Sequence, residues 1–268
     1  MSRQSNKEVG VALAFHGITG ITDLKCGELF GLIKDWATSI GRAPTVGEVG
    51  RNISESKLKP FESVLAGIKR SGFRNVRSFS IIHEDNTIEV PHWGRVFNCT
   101  FGNDFVMVSE KSKCKLTESS LLPIALNIID LIRPQYGIAY YREWMLSPYY
   151  YALGMPQGLG RDIGPDSPEV QSEIENISRW GDVLFESKVY SDGLIRDVYP
   201  WNFLSTPALN RTIDGIPLMK WIESDKSRGV LKPLSQGVIL WEVAQANISN
   251  VRKVLWNADI IYKWRKNL

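Results

Sequence analysis

Residues 117–144 read TESSLLPIALNIIDLIRPQYGIAYYREW, a helix running straight into a strand. Leu121, Ala125, Ile128 and Ile132 recur at intervals of three and four, which places them on one helical face. Thr117 can open that helix as a hydroxyl cap. Pro134 closes it, because the residue before a proline is driven out of the α region. From Gly137 to Trp144 the chain resumes as a strand.

The segments on either side follow the same logic. Val9 to Phe15 is an unbroken apolar run of strand length, the mark of a strand buried on both faces. Thr22 caps a helix whose apolar face is Leu29, Ile33, Trp36 and Ile40, and Gly41 stops it. A second helix covers Pro60 to Arg70, with proline at its permissive first turn. Strands are expected at Val76–His83 and Phe105–Glu110, and Val96–Phe101 reads as a loop or a third strand. This order predicts an α+β fold: mainly antiparallel sheets with helices packed on one face.

Past Tyr151 the pattern is more irregular. Ser167-Pro168-Glu169 is a strong helix start, with a buried stripe of Val170, Ile174, Ile177 and Leu184. Thr206-Pro207 opens a short helix, and Pro217 opens one carrying Leu218, Trp221 and Ile222. Gly237 to Val243 is a strand. Asn247 or Ser249 caps a last helix with Ile248, Val251 and Leu255. No repeat, low-complexity run or linker interrupts the chain. A single domain over 1–268, built of two intimately packed halves (1–135 and 136–268), is therefore expected.

With 268 residues, 43% of them hydrophobic and 23% charged, the composition is that of an ordinary globular protein. The formal net charge of +3 is too small for bulk attraction to nucleic acid or membrane, so neither is expected as a partner. That total hides an asymmetry. Residues 162–186 hold seven acids and one base, net −6, which leaves +9 for the rest. The longest apolar stretch, Leu121 to Ile132, falls short of the roughly 20 residues that cross a bilayer. Glu8 and His16 bracket the first apolar run, which suits a buried strand better than a signal peptide. Cys26, Cys99 and Cys114 fit neither a disulfide framework nor a zinc motif, and read as reduced thiols of a cytoplasmic protein.

Catalytic equipment is sparse. His16, His83 and His92 lack metal-ligand spacing, and no His or Cys occurs between Tyr136 and Leu268. Gly154 to Gly160 is glycine-rich but has no phosphate-binding lysine. No catalytic residue, metal site or cofactor is expected. A surface for a protein partner is the better reading. Its candidates are the acids Asp162, Asp166, Glu169, Glu173 and Glu175, with apolar contact from Tyr149, Tyr151 and Trp201 where these are exposed. Tyr199 to Phe203 reads as an irregular loop fixed by apolar anchors, and Arg196 with Asp197 as a structural ion pair. A carboxylate-dependent hydrolase using Glu143, Asp182 or Asp197 is the alternative, since paired carboxylates can do acid–base work without histidine. A scaffold that self-associates is a third.

The ordered set YGIAYYRE, YYYALGMPQGL, ISRWGD, RDVYPWNFLS, LMKWIESDKSRGVLKPLSQGVILWEV and ISNVRKVLWNADII, from Tyr136 to Ile261, resembles bacterial immunity proteins of polymorphic-toxin and type VI secretion systems. The immunity protein 52 family is the nearest in pattern. The resemblance implies a cytoplasmic α+β protein that neutralises one cognate toxin, often a nuclease, encoded by an adjacent gene. It brings no catalytic residues and no transferable contact residues.

Overall fold

The structure, a computed structural model, describes residues 8–51, 57–85, 95–102, 104–112, 121–154, 174 and 187–263. Its first half contributes β1 (Val9–His16), β2 (Val46–Gly50), β3 (Lys59–Pro60), β4 (Ser78–Glu84), β5 (Arg95–Phe101) and β6 (Phe105–Ser112). The second half contributes β7 (Tyr136–Glu143), β8 (Trp201–Leu204), β11 (Val230–Pro233) and β12 (Ile239–Glu242); β9 (Thr212–Ile213) and β10 (Ile216–Pro217) form a separate small ladder. The ten-stranded sheet runs β11-β12-β8-β7-β1-β6-β5-β4-β2-β3. Every named pairing in it is antiparallel.

The halves meet inside this sheet. All eight residues of β1 pair with β6 on one side and β7 on the other, Leu13 lying between Val108 and Ala139. No edge separates the first half from the second.

Because β1 is apolar at every position from Val11 to Phe15, both of its faces demand cover. Val11, Leu13 and Phe15 join α1 (Asp23–Ser39), α2 (Phe61–Ser71) and α3 (Leu121–Ile132) in one core. Ala12 and Ala14 join the other, with α4 (Pro148–Ala152), α5 (Ser187–Ser191), α6 (Thr206–Leu209), α7 (Leu218–Glu223) and α8 (Ile248–Asn257). The expected α+β class, with its large antiparallel sheet, is what the structure has. One-face packing holds half by half: helices of the first half take one face, those of the second half the opposite one.

Local sequence explains the principal helix ends. Thr22 Oγ1 accepts from the Lys25 N–H at 3.3 Å, and Asp23 lies in the first turn where the helix dipole favours it. At the other end Gly41 takes φ +75°, with Arg42 N–H bonded to Ala37 O and Gly41 N–H to Thr38 O, the paired bonds of a Schellman stop. In α3, Leu121, Ile124, Ala125, Ile128, Ile129 and Ile132 are buried. Each Leu or Ile contributes roughly 1.5–3 kcal/mol by leaving water. Pro60 and Pro217 play the same part in the two halves, each ending a two-residue strand and capping the next helix.

One expectation is corrected here and another is decided. Tyr199 to Phe203 is no irregular loop: Trp201–Leu204 forms β8, paired with β7 and β12 and buried at all four positions. Of the two readings left open for Val96–Phe101, the strand holds, within β5. The helix expected from Ser167 lies outside the described residues apart from Ile174, which is helical. No helix among the described residues is long and apolar enough to cross a membrane.

Candidate functional site

On the second face, beyond the end of β7, the chain leaves a cleft of about 830 Å³. Tyr140 to Glu143 of β7 form one wall, Leu146 and Tyr151 at α4 a second, and the loop Arg196–Pro200 the floor. Arg252, Lys253 and Trp256 of α8 close the remaining side, with Ile261 and Tyr262 after it. The last segment is held in place by backbone: Ile195 N–H bonds to Ile260 O, and Tyr262 N–H to Ile195 O.

Arg196 organises the floor. It is 1% exposed, and it donates from Nη1 to Ala152 O (2.9 Å) and from Nη2 to Tyr151 O (2.6 Å). These are terminal carbonyls of the five-residue α4; Tyr151 O also accepts from the Gly154 N–H at 3.2 Å, and Arg196 completes the helix end. A buried guanidinium fits there because it supplies both donors and favours the negative end of the helix. The same group lies 5.1 Å from the Tyr151 ring centroid, and Arg142 lies 4.0 Å from it, so one phenol ring meets two cations.

Asp197 turns the other way. Its Oδ1 accepts from Arg252 Nε at 2.6 Å and from the Val198 N–H at 2.7 Å. The ion pair expected between Arg196 and Asp197 is therefore replaced by one between Asp197 and Arg252, 55 residues away. Burial works to lower the Arg252 guanidinium, but the Asp197 carboxylate overrides it and raises the pKa. Burial also raises the Tyr151 and Tyr199 phenols, against the pull of Arg196, so both hydroxyls keep their protons at neutral pH. These hydroxyls lie 3.2 Å apart.

Nine of the nineteen lining residues are Tyr, Trp or Arg, the three types that carry most binding energy at protein interfaces. Four cations (Arg142, Arg196, Arg252, Lys253) face two carboxylates (Glu143, Asp197), which gives the cleft a net charge of +2. At its rim Tyr141 and Trp256 remain 42% and 40% exposed. Such a surface can take up an apolar group at the rim and donate to an anion inside.

The proposed contact residues fare differently. Asp162, Asp166, Glu169, Glu173 and Glu175 lie outside the described residues. Tyr151 lines the cleft. Tyr149, on the same helix, turns inward: its hydroxyl shares a 2.9 Å hydrogen bond with that of Thr100, and burial pushes its pKa up to about 12. Trp201 is 4% exposed in the core of the opposite face, so the exposure that its proposed contact required is absent. Of the carboxylates considered for catalysis, Glu143 and Asp197 share the cleft, and Asp182 is outside the described residues. The contributions of Arg252, Lys253 and Trp256 were not foreseen. The one available signal was the R-K-x-x-W spacing of ISNVRKVLW, which sets Arg252 and Trp256 four apart on one helix face. Among the described residues no group of three or more His, Cys, Asp or Glu could hold a metal ion.

No protein-family model matches the chain, and no curated protein matches it either. Among solved structures it is similar to a Pseudomonas aeruginosa T6SS protein, at 13% identity and a TM-score of 0.48, over 95% of this chain and 76% of that one.

Proposed function

We propose that this protein is an immunity protein: in the cytoplasm it binds a cognate secreted antibacterial toxin and occludes the toxin's active site or substrate cleft, without chemistry of its own. One observation carries the reading. Four of the stretches on which the immunity-protein resemblance rests, two of them near neighbours and two more than 40 residues further on, build a single cleft. YGIAYYRE supplies Tyr140 to Glu143, YYYALG supplies Tyr151, RDVYPW supplies Arg196 to Pro200, and ISNVRKVLW supplies Arg252, Lys253 and Trp256. A patch rich in Tyr, Trp and Arg, rimmed by exposed aromatics, has the make-up of an interface centre.

The test is co-purification with the product of the adjacent toxin gene. A complex is expected, and Trp256→Ala should weaken it by about 2 kcal/mol or more, near thirtyfold in affinity. Failure to form any complex with that product overturns the proposal. The shared position of Glu143 and Asp197 favours one second reading, a carboxylate-dependent enzyme. Turnover by the purified protein that vanishes in Asp197→Asn would establish it in place of the first.

A further inference from the structure

We infer that the cleft receives an acidic segment of the partner polypeptide, with an Asp or Glu side chain seated against Arg252 and Lys253 and a neighbouring apolar side chain against Trp256. The inference rests on the binding reading above and names the chemistry of what is bound.

Charge complementarity selects the occupant. A basic segment would meet four cations and gain two carboxylates, one of which already serves Arg252. An acidic one meets the reverse. Arg252 spends Nε on Asp197 and Nη2 on Val198 O (3.4 Å), and Nη1 makes no hydrogen bond among the described residues. Lys253 is exposed one position further along α8, and makes no ion pair among the described residues. A carboxylate placed between these two groups gains charge-assisted hydrogen bonds without breaking the Asp197 pair. The buried Arg196 adds a fixed positive charge below.

The rim explains why a polypeptide suits this cleft better than a small anion. Trp256 and Tyr141, both lining the cleft, present large apolar surface beside the cations. A free oxyanion leaves that surface in water. A chain segment with leucine beside glutamate covers it.

The test follows the indole N–H resonance of Trp256 in the 15N-labelled full chain, assigned by its disappearance in Trp256→Phe. The probes are the peptide acetyl-Gly-Leu-Glu-Glu-Leu-Gly-amide, the same peptide with both Glu replaced by Gln, and inorganic phosphate. Saturable shifts with the Glu peptide are expected, with the Gln peptide about tenfold weaker or more. Lys253→Gln, and Arg252→Gln with Lys253→Gln, should each weaken the Glu peptide. A charge-matched control on α2, Lys69→Gln with Arg70→Gln, should not. Because Lys253 is exposed, its variant keeps the test intact even where loss of Arg252 disturbs the fold.

Equal binding of the two peptides overturns the inference, as does the absence of a shift at about 10 mM peptide. Phosphate acting at lower concentration than the Glu peptide overturns it too, and assigns the cleft to a free oxyanion. These outcomes leave co-purification with the toxin untouched. Conversely, peptide binding without any toxin complex sinks the immunity reading and keeps the acidic-segment site.

Discussion

On one face of the sheet Phe15, Phe79, Phe97, Phe101 and Phe203 pack with α1 and α3, while the opposite face carries His16, Ser80, Asn98, Ser109 and Asn202 at interleaved strand positions. These five are all of the strand-borne polar residues buried among those described, and strand alternation puts every one on the second face. Arg196, the remaining buried polar residue, joins them from a loop. The same strands thus serve two purposes. One face stabilises by burial of rings and branched chains. The other gives up some of that burial to hold helices and a loop in set positions through hydrogen bonds. Asn202 shows how: it accepts from the Tyr199 N–H at 2.9 Å and donates to Tyr199 O (2.7 Å) and Trp241 O (3.3 Å). The loop that forms the cleft floor is fastened to the sheet at that point.

The comparison is broken most directly on the apolar side. Phe203 is 1% exposed, with its ring centroid 5.1 Å from that of Phe15. Phe203→Ala removes a ring from a packed interior and should cost about 3–5 kcal/mol, read from the urea midpoint. Binding by the fraction that remains folded should be unchanged, because the side chain faces away from the cleft. A loss below about 1 kcal/mol would mean that this face is not close-packed.

A smaller effect, with a pH signature, distinguishes the polar side. His16 ends β1 against the stacked rings of Tyr136 and Tyr190, at centroid distances of 6.2 and 5.2 Å. Neither of its ring nitrogens has a hydrogen-bond partner among the described residues. Burial, and then the charge of Arg196, lower its pKa to about 3. Between an ordinary value of 6.5 and that figure the unfolded chain takes up a proton and the folded chain does not. Stability therefore falls as pH drops through this window, by roughly 1 kcal/mol per pH unit. His16→Phe keeps the ring stack and removes the proton. Its advantage over the parent should widen between pH 7 and pH 5 by on the order of 2 kcal/mol. A gap that stays constant would show that His16 protonates freely in the folded protein.

How far the sequence can be read depends on whether a residue's fate is set by near or distant neighbours. β1 was legible because an apolar run of strand length has few other fates, and α1 because Thr22 and Gly41 carry their end signals locally. β8 was not. Trp201, Asn202, Phe203 and Leu204 are buried on both faces, so no alternation betrays a strand, and Pro200 beside two aromatics imitates a loop. The cleft was harder still. Asp197 sits beside Arg196 in sequence, yet consecutive residues of extended chain point apart, and its partner comes from α8. Tyr149 and Tyr151 looked equivalent in YYYALG; one points into a hydrogen-bond chain and the other into the cleft.

That last difference gives the finest test. Glu48 Oε1 accepts from Ser80 Oγ at 3.0 Å, Ser80 Oγ lies 3.4 Å from Thr100 Oγ1, and Thr100 Oγ1 is hydrogen-bonded to Tyr149 Oη at 2.9 Å. The chain crosses β2, β4 and β5 and ends on α4, the helix that Arg196 caps and that carries Tyr151 into the cleft. Tyr149→Phe removes the terminal hydroxyl and leaves Thr100 its contact with Ser80, so the cost should be about 1 kcal/mol or less. A double-mutant cycle with Thr100→Val should show that most of this cost is shared between the two positions. Toxin affinity should barely change in Tyr149→Phe, against the near thirtyfold loss expected for Trp256→Ala. Comparable losses from both would mean that Tyr149 acts at the surface, and that the two tyrosines of α4 do not divide their work between sheet and partner.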